Sequence, residues 1–239
     1  MSTLTRLKKR TEVAEGTMAF YFERPTGFDF LAGQFMDLTL ISPPETDEEG
    51  NTRSFSIASA PYEDDLMVAT RMRNTAFKRV LKNLAFGSEI QIEGPFGNLV
   101  LHKDNARPAV FLTGGIGITP FRSIALQSTK ERSPHHLWMF YSNRRPEDAA
   151  FLDELIKLQT ENRNFRLVTT MTNAADSRLP WKGETGFVDK QMLSRYLGEL
   201  AGHIYYVAGP PAMVDAMTKL LSDAGLKAAE IRSEEFIGY

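Results

Sequence analysis

Cysteine is absent from the 239-residue sequence, and only four histidines occur in it. The absence of cysteine excludes disulfides, thiolate zinc sites and cysteine-ligated iron-sulfur clusters within these residues. Four histidines also provide few ligands for a metal site of any other kind. We therefore expect no metal, and whatever chemistry the protein performs needs another carrier.

Positive charge is not in excess, because 28 Lys and Arg stand against 30 Asp and Glu, a formal net charge of −2. A partner with many phosphates calls for a cationic excess, so we do not expect nucleic acid to bind. The sequence also lacks any run of about 18 apolar residues, and no apolar segment follows the basic residues near its start. These absences predict a soluble cytoplasmic protein without a membrane partner.

Residues 16–97 contain short apolar stretches separated by turn signals, which predict an antiparallel barrel or sandwich. The predicted strands are GTMAFYFERP, GQFMDLTLI, RSFSIASAP, DLMVATRMR and GSEIQIEGPFG. A helix is predicted at NTAFKRVLKNLAFG, where apolar residues recur every four positions; Asn74 or Thr75 is the expected cap, and Gly87 can end it. The acidic segment Ser42–Asn51 is typical of a solvated loop, and we assign it no function.

The pattern changes around His102 to Pro108, where strands begin to alternate with helices. The predicted strands of this second part are PAVFLTG, LWMFYS, FRLVTTM, IYYVAG and a last one near AEIRSEEF, and EDAAFLDELIKLQ is one of the helices between them. Such alternation predicts right-handed crossovers and a parallel sheet covered on both faces. We place a domain boundary between residues 1–103 and 104–239.

Two glycine-containing turns each join a predicted strand to a predicted helix. Glycine lets the backbone approach a bulky anion while the free amides of the helix start point at it, although such turns also exist for packing alone. Both turns fall at the carboxyl edge of the sheet, where open α/β folds bind ligands, so a dinucleotide spanning them is the economical interpretation. The turn residues are Thr113, Gly114, Gly115 and Gly117 of TGGIGITP, and Gly209 and Pro210 of YYVAGPPAM.

The chain resembles the ferredoxin-NADP reductase superfamily in the order of five motifs: RSFS, GPFG, GGIGITP, AGPPAM and a C-terminal EEF. The resemblance covers almost the whole chain. It implies an N-terminal antiparallel flavin-binding β-barrel, followed by a C-terminal Rossmann-like parallel-sheet domain that binds the nicotinamide cofactor. It also implies that hydride passes between NAD(P)H and FAD at the domain interface, and that no iron-sulfur domain is fused.

The resemblance gives each residue of the RSFS strand a role. Arg53 would neutralise the flavin phosphate through its paired donors, Phe55 would pack against the isoalloxazine, and Ser56 would hydrogen-bond near N5, which accepts the hydride. Thr75 lies at a helix start without the family's usual glycine, and it would either face the pyrophosphate or simply cap the helix. The predicted flavin-binding set also includes Ser54 and Arg71.

The C-terminal motif supplies an acid and an aromatic side chain. By resemblance, Phe236 would cover the flavin until nicotinamide displaces it, and Glu234 would orient or relay a proton. Tyr239 is an alternative for the stacking role. Ala208 stands where many relatives have cysteine, and we expect this change to slow hydride transfer without abolishing it, because positioning contributes most to the rate.

Nucleotide choice is expected to depend on YSNRRPED, after the second strand of the parallel sheet. Ser142, Arg144 and Arg145 would grip a 2′-phosphate, whereas a site for unphosphorylated ribose more often carries an acid here. The pattern favours NADP slightly, although two arginines on an exposed loop are commonly just solvated.

Together these features predict a flavoprotein oxidoreductase that uses FAD and NAD(P)H. Its electrons would pass to an external acceptor: a ferredoxin, a flavodoxin, an oxygenase component or a small oxidant. Two alternatives stay open. One is an FAD-binding electron-transfer subunit active only in a larger complex; the other is a non-enzymatic flavin or nucleotide sensor, suggested by Ala208 and the irregular RNTAFK.

Overall fold

Twelve strands form two six-stranded sheets in residues 2–236, which are the residues described by the computed structural model. The first sheet contains β1 (Ser2–Ala14), β2 (Thr17–Glu23), β3 (Phe35–Leu40), β4 (Thr52–Ser56), β5 (Asp65–Arg71) and β6 (Glu89–Phe96). The second contains β7 (Ala109–Gly114), β8 (Leu137–Asn143), β9 (Phe165–Met171), β10 (Glu184–Thr185), β11 (Ile204–Gly209) and β12 (Ile231–Glu235). The helices are α1 (Ala76–Asn83), α2 (Ile118–Lys130), α3 (Leu152–Glu161), α4 (Lys190–Leu197) and α5 (Pro211–Asp223).

The first sheet is antiparallel, in the order β4-β3-β6-β1-β2-β5. It closes on itself because the segment after β4 returns to β5, where the amide of Ala58 donates to the carbonyl of Met67 at 2.7 Å. Alternate side chains fill the interior, and Phe77 and Leu81 of α1 pack into the same core. The predicted antiparallel barrel is confirmed.

Strand β1 is not among the strands that the sequence pattern predicts. Its first residues pair with β6 and the rest pair with β2, so it connects the two parts of the barrel. Most of its side chains are charged or polar, and only Thr5 and Leu7 are buried. Without an apolar face along most of its length, the strand gives no clear alternation in the sequence.

The second sheet is parallel throughout, in the order β10-β9-β8-β7-β11-β12. Successive residues of β7 point to opposite faces: Phe111 packs in a core with α2 and α3, and Leu112 in a core with α4 and α5. The predicted parallel sheet with two covered faces is therefore confirmed. Helix α3 begins later than the pattern predicts, because Pro146–Asp148 forms a separate 3₁₀ turn.

The barrel and the parallel sheet share an apolar core, because Ala58 and Met67 of the barrel pack in the same cluster as Ile116 and Phe121. The predicted domain boundary lies within the connection 97–108 and stays a prediction. Among the described residues, no helix combines the length and apolarity that crossing a membrane requires.

Candidate functional site

Strand β4 presents its side chains to two different environments. Arg53 and Phe55 lie on one face above Phe77 of α1: the guanidinium carbon of Arg53 is 5.2 Å from the Phe77 ring centroid, and the two phenylalanine rings are 5.9 Å apart. Ser54 points to the other face, where its hydroxyl donates to the carboxylate of Asp37. The structure thus brings Arg53 and Phe55 together at the start of α1 and places Ser54 apart from them.

The start of α1 is capped and electropositive. The hydroxyl of Thr75 accepts a hydrogen bond from the amide of Lys78 at 3.3 Å, so Thr75 is the N-cap. The Lys78 ammonium in turn donates to the backbone carbonyl of Arg71 at 2.9 Å. Burial and the neighbouring charges of Arg73 and Arg53 lower the pKa of Lys78 to about 8.

Part of the acidic segment Ser42–Asn51 enters this site. The carboxylate of Asp47 accepts from Nη2 of Arg53 at 3.0 Å and from the amide of Ala76, the first residue of α1, at 3.1 Å. A carboxylate oxygen of Glu49 lies 2.8 Å from the same guanidinium nitrogen. The segment is mostly exposed, as expected of a solvated loop, but two of its carboxylates contact Arg53, and Asp47 also contacts the start of α1.

Two predicted site residues carry buried hydroxyls without a hydrogen-bond partner among the described residues. They are Ser56, at the end of β4, and Thr113, near the end of β7. A buried polar group left unsatisfied costs about 1–3 kcal/mol, and such groups in folded proteins usually have a reason to be there. Neither hydroxyl therefore has its hydrogen-bonding capacity satisfied by the described residues.

The two glycine turns are in contact at the carboxyl edge of the parallel sheet. A Cβ on Gly117 would overlap the carbonyl of Ala208 and lie 2.7 Å from the Cα of Gly209, so only glycine allows this approach. Thr113 pairs with Ala208 across β7 and β11. The structure therefore brings together the predicted turn residues of both motifs: Thr113, Gly114, Gly115, Gly117, Gly209 and Pro210.

Strand β12 places the C-terminal motif beside these turns. Glu234 lies opposite Ala208 in the register, and burial raises the pKa of its carboxyl to about 7. The amide of Phe236 donates to the carbonyl of Gly209 at 3.0 Å, and its ring packs against the core shared by the barrel and the sheet. Tyr239, the alternative stacking residue, lies outside the described residues.

The two arginines after β8 have different surroundings. Arg145 donates to both carboxylate oxygens of Asp148 at 3.0 Å, and its guanidinium lies 3.6 Å from Glu15 of the barrel. Arg144 is exposed, and Ser142 pairs with Gly114 in the sheet register. The first glycine turn therefore has Ser142 beside it, while Arg145 is held in an ion-pair cluster.

Comparison with known proteins agrees with this arrangement. Residues 111–219 match the family described as the oxidoreductase NAD-binding domain. The chain is 30% identical over 202 residues to the propane 2-monooxygenase reductase component of Mycolicibacterium smegmatis, covering 82% of this chain. It is 27% identical over 209 residues, or 87% of this chain, to the terephthalate 1,2-dioxygenase reductase component 2 of Comamonas sp. The chain is therefore similar over more than four fifths of its length to reductase components of oxygenases, and the resemblance to the ferredoxin-NADP reductase superfamily is confirmed.

The similarity in fold to a solved reductase extends over almost the whole chain. The crystal structure of a ferredoxin NADP+ reductase from Neisseria gonorrhoeae, with bound FAD and NADP, superposes with a TM-score of 0.82 at 23% identity and covers 98% of both chains. By contrast, the chain spans 56% and 59% of the lengths of the propane and terephthalate reductase components.

Three charged residues with polar contacts in this region are not singled out by the sequence patterns. Asp47 reaches Arg53 and α1 from a loop, Lys78 is half-buried behind them, and Arg122 of α2 is buried between the barrel and the sheet. The Asp47–Ala76 and Arg122–Glu63 contacts join residues far apart in the chain, whereas Asp47 and Arg53 are only six residues apart. The only available signal for Asp47 is its position in an acidic segment shortly before an arginine-containing strand.

Proposed function

We propose that the chain is an NAD(P)H-dependent flavin oxidoreductase, which binds FAD at the barrel and passes electrons to an external acceptor. The main support for the proposal is the apolar core that the barrel and the parallel sheet share at the site. Ala58, two residues beyond Ser56, packs in the same cluster as Ala208 and Phe236. The end of the flavin strand and both glycine turns therefore face one region of the molecule.

The residues at the barrel fit a flavin. Arg53 and the start of α1 already hold an anionic group, the Asp47 carboxylate, so their donors suit a phosphate. Phe55 offers an apolar ring on the same face of β4, and the unpartnered hydroxyl of Ser56 can hydrogen-bond to a flavin ring atom. Bound FAD would supply the acceptance of a hydride and the release of electrons one at a time.

The residues at the sheet edge fit a nicotinamide dinucleotide. The glycine turns let backbone segments approach closely at the carboxyl edge of the sheet, where open α/β folds bind dinucleotides, and the hydroxyl of Thr113 at this edge has no hydrogen-bond partner among the described residues. Phe236 excludes water from the junction by packing on the shared core. Glu234, with its pKa near 7, can hold or release a proton at neutral pH.

The slight preference for NADP depends on the residues after β8. Arg144 is exposed and beside Ser142, so these two side chains would bind a 2′-phosphate. Arg145 would instead support the loop, because its donors are taken by Asp148. Replacing Arg144 should then weaken NADPH binding and leave NADH binding unchanged.

The acceptor is proposed to be a redox protein. Two similar proteins are reductase components, of a dioxygenase and of a monooxygenase, so an oxygenase component is the favoured partner. The similarity to reductase components also favours a second function, in which the chain is active only as a subunit of an oxygenase complex.

Turnover by the purified chain distinguishes an independent reductase from a dependent subunit. The chain is loaded with FAD, and oxidation of NADPH and NADH is followed with ferricyanide as an artificial acceptor. Sustained turnover supports the independent reductase. If the chain binds FAD but turns over only after an oxygenase component is added, the dependent subunit is supported.

A further inference from the structure

An acidic side chain of the protein itself lies in the anion site at the barrel. One oxygen of the Asp47 carboxylate accepts from the guanidinium of Arg53 at 3.0 Å, and the other accepts from the first amide of α1 at 3.1 Å. These are a charge-assisted hydrogen bond and a helix N-terminal contact, the same two contacts that proteins use to bind phosphate.

The cationic groups around Asp47 are arranged for a larger anion than one carboxylate. Lys78 lies behind the helix start, and the charges of Arg53 and Arg73 lower its pKa in addition to burial. Mutual repulsion among cations is relieved when an anion of higher charge enters. Glu49 neutralises part of this charge, since its carboxylate lies 2.8 Å from the Arg53 guanidinium, and a diphosphate in place of the Asp47 carboxylate would neutralise more of it.

Hydrogen bonding keeps Asp47 ionised in this position. Burial opposes its charge, but the hydrogen bonds from Arg53 and Ala76 outweigh burial and lower the pKa of the carboxyl below its usual value. Asp47 therefore remains an anion at neutral pH, with the same charge sign as a flavin phosphate.

We propose that Asp47 is an internal competitor for the flavin phosphate, so that the segment Ser42–Asn51 must withdraw it before FAD can bind fully. This inference rests on the proposed function, since it assigns the anion site to the flavin. Asp47 thereby weakens flavin affinity and makes the bound flavin easier to exchange.

A charge-neutral replacement of nearly the same shape tests the competition. In Asp47→Asn the amide cannot act as an anion toward Arg53, so FAD should bind about tenfold more tightly, equivalent to ~1.4 kcal/mol. The matched control is Glu48→Gln, which removes the same charge from an exposed position in the same segment. Riboflavin, which has no phosphate, should bind equally to wild type and to both variants.

The measurement is calorimetric titration of the flavin-free full chain with FAD, with riboflavin and with inorganic pyrophosphate. Circular dichroism checks that each variant folds, and Asp47→Ser provides a second replacement if Asp47→Asn does not. Unchanged or weaker FAD binding by the Asp47 variants, while the wild type binds FAD, overturns the competition and leaves the flavin assignment intact.

Inorganic pyrophosphate separates this inference from the proposed function. If no protein binds FAD but the Asp47 variant binds pyrophosphate more tightly than Glu48→Gln does, the internal competition holds and the flavin assignment fails. If pyrophosphate affinity is also the same in all three proteins, the competition is wrong as well.

Discussion

Arg122 is expected to be the main polar link between the barrel and the parallel sheet, and replacing it tests how the two parts are held together. Its guanidinium donates to both oxygens of Glu154 in α3 at 2.6 Å, to Glu63 of the barrel at 3.0 Å and to the carbonyl of Ala58 at 2.7 Å. Its side chain is only 6% exposed. The change we consider is Arg122→Met, which keeps most of the apolar stem and removes every donor.

The expected loss of stability depends on the two glutamates that Arg122→Met leaves without their partner. Removing one partner of a buried ion pair typically costs about 3–5 kcal/mol, because the other charge is left buried and unpaired. Glu63 and Glu154 are 31% and 37% exposed, so water reaches both carboxylates once Arg122 is gone. We therefore expect the free energy of unfolding to fall by the lower end of that range, ~3 kcal/mol.

Urea unfolding measures this loss. With a slope of roughly 1–3 kcal/mol/M, the midpoint should fall by about 1 M or more. Arg6→Met is the control, because the Arg6–Glu89 pair is exposed and such pairs contribute about 0–1 kcal/mol. Equal, small shifts for the two variants would show that Arg122 does not hold the two parts together, and the reasoning from its buried contacts would be wrong.

Three further predictions concern the site. Gly117→Ala should destabilise the fold by about 1–3 kcal/mol and abolish nucleotide binding, because the new methyl overlaps Ala208; unchanged urea midpoint and nucleotide titration would contradict this. The raised pKa of Glu234 stabilises the wild type fully below pH 4.5, and this contribution is lost as the pH rises through about 7. Glu234→Gln has no such titration, so its free energy of unfolding should increase relative to that of the wild type over this pH range. A pH-independent difference in unfolding midpoint would count against it. Ser56→Ala should keep bound flavin and slow its reduction, whereas Arg53→Ala should mainly lose flavin; normal reduction kinetics in Ser56→Ala would remove the role assigned to that serine.

Most elements of the fold are predictable because their signals are local. Strands β7 and β11 of the parallel sheet are nearly continuous apolar runs, and the glycine turns follow them directly. Strand β1 is not predicted because its own sequence has no clear apolar pattern. It forms a strand because it pairs with β6 and with β2.

In the candidate site, too, some features are predictable from the sequence and others are not. The positions of Gly117 and Gly209 follow from strand order, since the carboxyl ends of neighbouring parallel strands meet at one edge. The ion pairs of Arg53 and Arg145 do not follow from the sequence motifs, because several carboxylates lie nearby in the chain and only the folded backbone decides which of them each guanidinium reaches. Sequence motifs thus indicate which residues are at the site, but not which of their donors are already engaged.

Anaerobic single-turnover mixing tests the central claim, that the barrel and the parallel sheet bring a flavin and a nicotinamide together. The FAD-loaded chain is mixed separately with NADPH and NADH, and flavin absorbance is followed through bleaching. We predict rapid bleaching, faster with NADPH if Arg144 and Ser142 bind the 2′-phosphate. Flavin that stays bound and oxidised with both nucleotides would contradict the account.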